Sequence, residues 1–90
     1  MRIMPKVKKT VTINNKQGLH ARPAALFVQL ANKFEADIVV RKAKDAVNGK
    51  SIMGILMLGA QNKSKITIIA DGVDALQALT ELEEFLKKNE

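Results

Sequence analysis

Apolar and polar residues alternate along VKKTVTI at 7–13, with Val7, Val11 and Ile13 on one side and Thr10 and Thr12 on the other. A period of two predicts a half-buried strand. NNKQG at 14–18 has the composition of a turn. From Ala21 the period changes. Phe27, Leu30, Ala31 and Phe34 recur at helical spacing, and Ala24, Ala25 and Leu26 add apolar bulk. This predicts an amphipathic helix ending near Lys33. DIVVRK at 37–42 is β-branched and predicts a second strand. After an Ala-Lys-Asp turn, AVNGK at 46–50 fits a short returning strand.

Ser51 is a preferred helix cap, and IMGILML after it fits a short apolar helix stopped by Gly59. That run has six apolar residues in seven, more than one core-facing stripe can use. Some of Ile52, Met53, Leu56 and Met57 are therefore expected at the surface, with Ile55 and Leu58 in the core. KITIIA at 65–70 alternates as a strand, and Asp71-Gly72 is a turn. Asp74 followed by Gln77 resembles a capping box, and Leu76, Leu79, Leu82 and Leu86 are expected to line one face of a last helix. The order is β-α-β-β-α-β-α. Each element has few faces to bury, so the economical arrangement is α+β: a four-stranded antiparallel sheet with three helices on one face.

Residues 1–90 are enough for one domain with a modest core, and 1–5 look like a loose N-terminal extension. The chain has no cysteine, which excludes disulfides, thiolate chemistry and thiolate metal sites. With a single histidine as well, no metal is expected. No apolar run approaches the roughly 20 residues of a membrane span, and no signal-type segment follows the basic start. A cytoplasmic protein that does not insert into membranes is expected.

The net charge of +6 is uneven: residues 1–65 carry 13 Lys/Arg and 3 Asp/Glu, whereas 66–90 carry 2 and 6. Such a balance suits a basic face meeting an acidic partner or a polyanion. Nucleic acid is disfavoured, because Tyr and Trp stacking platforms and the signatures of RNA-binding folds are missing.

The chemistry concentrates at GLHARPA, residues 18–24. If the helix starts at Ala21, His20 occupies the cap position, where Ser, Asp or Asn would serve the backbone better. Pro23 sits in the first turn, where its missing N–H breaks no helical bond. The amides of Ala21, Arg22 and Ala24 are then expected to face outward at the positive end of the helix dipole, an arrangement that receives phosphate. Arg22 adds a permanent cation, and Gly18 a turn able to approach an incoming group closely. The same field disfavours a cationic imidazole and leaves one ring nitrogen as a nucleophile. His20 is thus a candidate reversible phosphoryl acceptor. The alternative, for the residue taken alone, is an incidental surface histidine; the neighbouring Gly, Arg and Pro favour the chemical reading. A hydrolase triad fails for want of a second base.

KSIMG at 50–54 admits two readings. Ser51 is a plain helix cap, or it is also a phosphorylation site whose added charge the helix start would tolerate.

GLHARPA and KSIMGILMLGA, at this separation in a chain of this length, closely resemble the HPr family, the phosphocarriers of the bacterial phosphoenolpyruvate-dependent sugar phosphotransferase system. The resemblance runs from about Val7 to the last helix. It implies an open-faced β-sandwich. It also implies that His20 is phosphorylated at Nδ1, that Arg22 contacts the phosphate together with the backbone of Ala21 and Arg22, and that Ser51 is the regulatory serine modified by HPr kinase/phosphorylase. Ile52, Met53 and Leu56 match the family's docking surface. The implied partners are enzyme I, EIIA domains and, through Ser51, the kinase and a catabolite-control transcription regulator. A monomer without cofactor is implied. Gln17 stands where many members have Ser or Asn, and Met57 where many are polar. A regulatory HPr-like protein of a nitrogen or carbon control branch is the second reading.

Overall fold

The computed structural model describes residues 6–88. The expected loose extension at 1–5 lies outside the described residues. The elements are β1 (Lys6–Thr12), α1 (Ala21–Ala31), β2 (Asp37–Lys42), β3 (Asp45–Asn48), α2 (Ile52–Leu58), β4 (Lys65–Asp71) and α3 (Ala75–Lys88). The predicted order is correct throughout. The boundaries move by small amounts: α1 ends at Ala31, β3 opens at Asp45 after a two-residue turn with Ala43 at φ 54°, and β4 continues through Asp71.

The sheet order is β1-β4-β2-β3 and every pair is antiparallel. β4 therefore lies between β1 and β2, with Ile68 paired to Lys9 on one side and Val40 on the other. Alternation places Ile66, Ile68 and Ala70 of β4 and Ile38 and Val40 of β2 under the helices, all buried. On the opposite face Thr10 and Thr67 meet through their hydroxyls at 3.0 Å. β1 is an edge strand, and its Lys6, Lys8 and Lys9 discourage pairing with another chain.

Helix α1 buries Pro23, Ala24, Phe27 and Ala31. Leu30, expected in the core, is only partly buried against it. The Phe27 ring meets Phe85 of α3 edge-on, 6.3 Å between centroids, and so joins the two long helices. α3 buries Ala75, Ala78, Leu79, Leu82 and Leu86. Leu76 departs from expectation, being 65% exposed. At about 100° per residue it sits about 100° from Ala75, on the far side from Ala78, and leaves the buried arc. Glu83 links α3 to β1 through Lys9 at 3.0 Å, and it also pairs with Lys87 at 3.1 Å.

The capping box at Asp74 does not form. Its carboxylate accepts instead from the Glu35 and Ala36 amides, both at 2.9 Å, and Gln77 donates to Glu81. Two fixed amides on the chain entering β2 satisfy a carboxylate better than one loose helix end. Beside this clamp Gly72, at φ 155°, rests on Ala36; a Cβ there would come within 2.7 Å of the Ala36 Cα. The Glu35 amide, aided by those of Ala36 and Asp74 and by Lys50, holds the Asp74 carboxyl below its ordinary value of 3.8.

A carboxyl with a depressed folded pKa contributes stability above its unfolded pKa and loses it as pH falls through the folded one. Asp74→Ala should therefore lower Tm at pH 7. The gap between variant and parent should close on acidification below the ordinary value of 3.8. Thermal unfolding followed by circular dichroism across that range checks both.

Candidate phosphoryl-acceptor site

The loop between β1 and α1 is fixed at both ends. Ile13 exchanges backbone hydrogen bonds with the segment after α2: its amide donates to Ser64 and its carbonyl accepts from Lys63. Within the loop Asn15 makes a turn, its side-chain oxygen accepting from the Gln17 amide and its carbonyl from the Gly18 amide. Gly18 adopts φ 71° and is buried. A Cβ at this position would collide with the Ala60 carbonyl oxygen. The glycine is thus required by the approach of its own chain, not, as expected, by that of an incoming group. Leu19 is buried, and its amide donates to Ala60 at 2.9 Å.

His20 follows in extended conformation (φ −93°, ψ −169°) as the N-cap of α1, and its side chain makes no capping bond. The ring is half-exposed and has no hydrogen-bond partner among the described residues. The Ala24 amide is not outward-facing as expected: it donates to the His20 carbonyl at 2.8 Å, closing the first helical turn. Since Pro23 has no N–H, Ala21 and Arg22 carry the unclaimed amides of this helix start. The Arg22 side chain is exposed and forms no ion pair among the described residues.

A cleft of about 630 Å³ opens beside the ring, lined by Asn14, Asn15, Lys16, Gln17, His20, Arg22 and Pro23. It brings His20 and Arg22 together as the sequence anticipates. It also adds Lys16, which sequence reasoning missed. One signal was available: no acidic residue precedes Glu35, so a cation in this region has no local counter-ion. Among the described residues no carboxylate lines the cleft. The set can hold an anion on a nucleophilic ring. Among the described residues no group of three or more His, Cys, Asp and Glu could hold a metal ion.

Ser51 lies elsewhere, as the N-cap of α2, with its Oγ accepting from the Gly54 amide at 3.1 Å. The cap is secured from the segment just after α1: Asn32 donates to the Lys50 carbonyl and Lys50 Nζ to that of Phe34, at 2.7 Å. α2 ends at Gly59, whose φ of 66° gives a left-handed stop. Ile55 and Leu58 are buried as expected. Ile52 (41%), Met53 (62%), Leu56 (37%) and Met57 (77%) are exposed, forming an apolar strip on α2. Leu26 of α1, counted in the sequence with the apolar bulk of the helix, is also exposed; it lies about 160° round the helix from buried Ala24.

A family model described as the PTS HPr component phosphorylation site matches residues 7–88. The HPr-like protein Crh of Halalkalibacterium halodurans is 46% identical over 82 residues, covering 91% of this chain and 98% of its own. The phosphocarrier protein HPr of Treponema pallidum is 42% identical, covering 86% and 88%. Among solved structures, a phosphocarrier protein HPr from Bacillus anthracis matches with a TM-score of 0.87 at 51% identity, covering 90% of this chain and 96% of that one. The chain belongs to the HPr family of bacterial phosphotransferase-system phosphocarriers, which carry phosphoryl groups and are not themselves catalysts. No helix among the described residues is long and apolar enough to cross a membrane.

Gly18→Ala should destabilise the fold by about 2–4 kcal/mol, since it combines a left-handed backbone with a clash against Ala60. Denaturant unfolding measures the loss. Gly59→Ala, with the same sign of φ but open space around it, should cost about 1 kcal/mol.

Proposed function

We propose that this one-domain cytoplasmic protein takes a phosphoryl group from phosphorylated enzyme I onto His20 Nδ1 and passes it to the EIIA domains of sugar permeases. The observation that carries the proposal is the placement of His20: an imidazole without a partner among the described residues at the N-cap of α1, with Arg22 in the same cleft.

In the accepting step a ring-nitrogen lone pair of His20 attacks phosphorus. A new N–P bond forms, the bond from phosphorus to the donor's ring nitrogen breaks, and the donor nitrogen keeps that electron pair. The backbone amides of Ala21 and Arg22, with the guanidinium of Arg22, receive the phosphoryl oxygens. Passing the group on reverses the roles. The accepting ring, the amides and the guanidinium all belong to one copy of this chain, so a monomer suffices on the acceptor side. No metal or cofactor is needed, because the phosphoramidate is already activated.

Docking is assigned to Ile52, Met53 and Leu56, whose exposure on α2 offers transient partners an apolar surface.

A second reading, regulation through Ser51, is favoured by the position of its hydroxyl at the α2 cap, beside the docking strip. A phosphoryl group there would place about two negative charges next to Ile52 and Met53 and oppose an acidic partner. HPr kinase/phosphorylase would add it, and a catabolite-control transcription regulator would read it. Carriage and regulation can coexist, and the retention of His20 argues against a purely regulatory role.

Incubation with phosphoenolpyruvate and enzyme I should add one phosphoryl mass that acid removes and alkali spares. His20→Ala should remain unmodified, and Arg22→Ala should slow transfer by about tenfold or more. A parent protein left unmodified by competent enzyme I would defeat the proposal. For the second reading, ATP and the kinase should give an acid-stable adduct that disappears in Ser51→Ala.

A further inference from the structure

The cleft beside His20 contains a charged side chain that the transfer scheme leaves unused. We propose that Lys16 is a second phosphoryl-binding cation of this carrier, facing the phosphate on His20 from the loop while Arg22 faces it from the helix. The inference rests on the phosphocarrier reading of His20 and adds a group to it.

Three observations carry the argument. First, Lys16 lines the same cleft as His20 and Arg22, and Lys16 and Arg22 are the lysine and arginine among the described residues of its lining. Second, Lys16 is committed to nothing else: among the described residues it forms no ion pair or hydrogen bond, and no carboxylate among them lines the cleft. The sequence supplies no acid before Glu35 to neutralise it locally. Third, its backbone is held. The neighbouring Gln17 and Gly18 amides both donate to Asn15, and the Leu19 amide donates to Ala60, so the stretch on which Lys16 sits is tied to the fold at each side. An exposed side chain thus stands on a tethered backbone.

Charge matching then selects the ligand. A phosphoryl group on a neutral imidazole nitrogen carries up to two negative charges. Arg22 with the amide ends of α1 answers one of them, and Lys16 supplies the other cation. The two cations are not equivalent. The guanidinium presents a planar fork, suited to one geometry of the phosphate. An ammonium is a point charge on a flexible four-carbon stem, and it can follow phosphorus as it moves between the rings of donor and acceptor. Lys16 should therefore favour the fully ionised phosphoryl group and draw the transfer equilibrium toward the carrier. It acts on the charge of the product and takes no proton.

The test uses the full chain and three variants: Lys16→Gln, Lys16→Arg and, as a charge control on the exposed β2–β3 turn, Lys44→Gln. Each is phosphorylated with enzyme I and phosphoenolpyruvate. The midpoint of phosphoryl ionisation is read by phosphorus NMR, and the partition of the group between enzyme I and carrier is measured at equilibrium. Lys16→Gln should raise the midpoint by about half a unit and shift the partition about threefold toward enzyme I, the size expected of one solvent-facing charge a few ångströms away. Lys16→Arg should restore both, Lys44→Gln should match the parent, and the Lys16→Gln effect should fade at about 1 M salt, where the screening length is about 3 Å. Since Lys16 is exposed and unbonded, Tm should not change. A phosphorylated Lys16→Gln with the parent's midpoint and partition overturns the inference while leaving the carrier reading intact. A parent that is not phosphorylated on His20 overturns both.

Discussion

The backbone joint between Leu19 and Ala60 is the constraint on which the candidate site depends. The Leu19 amide donates to the Ala60 carbonyl, and Gly18 can come close enough for this only because it lacks a Cβ and accepts a left-handed backbone. Leu19 is buried beside it, so the joint is shielded from competing water. Ala60 in turn follows Gly59, the left-handed stop of α2. One contact therefore sets both where α1 begins and where α2 ends. The imidazole and the apolar strip keep a fixed relation although 31 residues separate His20 from Ser51 in the chain.

The local periodicities made the elements and their order legible in the sequence, because β2 and β4 alternate buried and exposed positions and α2 has a clear cap and stop. Ser51 and Gly59 are such local signals, and both act as they read. The division of α2 into buried Ile55 and Leu58 and exposed Ile52, Met53, Leu56 and Met57 follows from counting apolar residues against the width of one helix face. What stayed hidden depends on contacts distant in sequence. Asp74 has every feature of a helix cap, yet it binds backbone at 35–36, and only the packed fold brings those amides to it. Gly18 looked like room for a ligand and is room for Ala60. Lys16 lay within a turn-like stretch whose direction no pattern discloses; its place in the cleft emerges once Asn15 has bent the loop.

The charge pattern has a spatial counterpart. Three carboxylates of the last quarter of the chain are engaged within the fold: Asp74 by backbone amides, Glu83 by Lys9 and Lys87, and Glu81 by Gln77. Glu83 is held below the ordinary glutamate range chiefly by its bond to Lys9, with Lys87 second. Glu83 ties α3 to β1, and none of the three lines the cleft. The cations at residues 16 and 22 thus keep their field for an incoming anion. The separation of sign along the chain becomes a separation of task between the two ends of the fold.

The middle position of β4 has a consequence for how the molecule is made. Residues 65–71 supply the inner neighbour of both β1 and β2, so a nascent chain that has emerged only through α2 possesses two strand edges with nothing between them. Pairings this remote in sequence close slowly compared with local ones. During synthesis the chain must therefore hold Val11, Ile38 and Val40 without their final cover until the fourth strand leaves the ribosome, and the lysines of β1 serve then as a guard against the wrong neighbour.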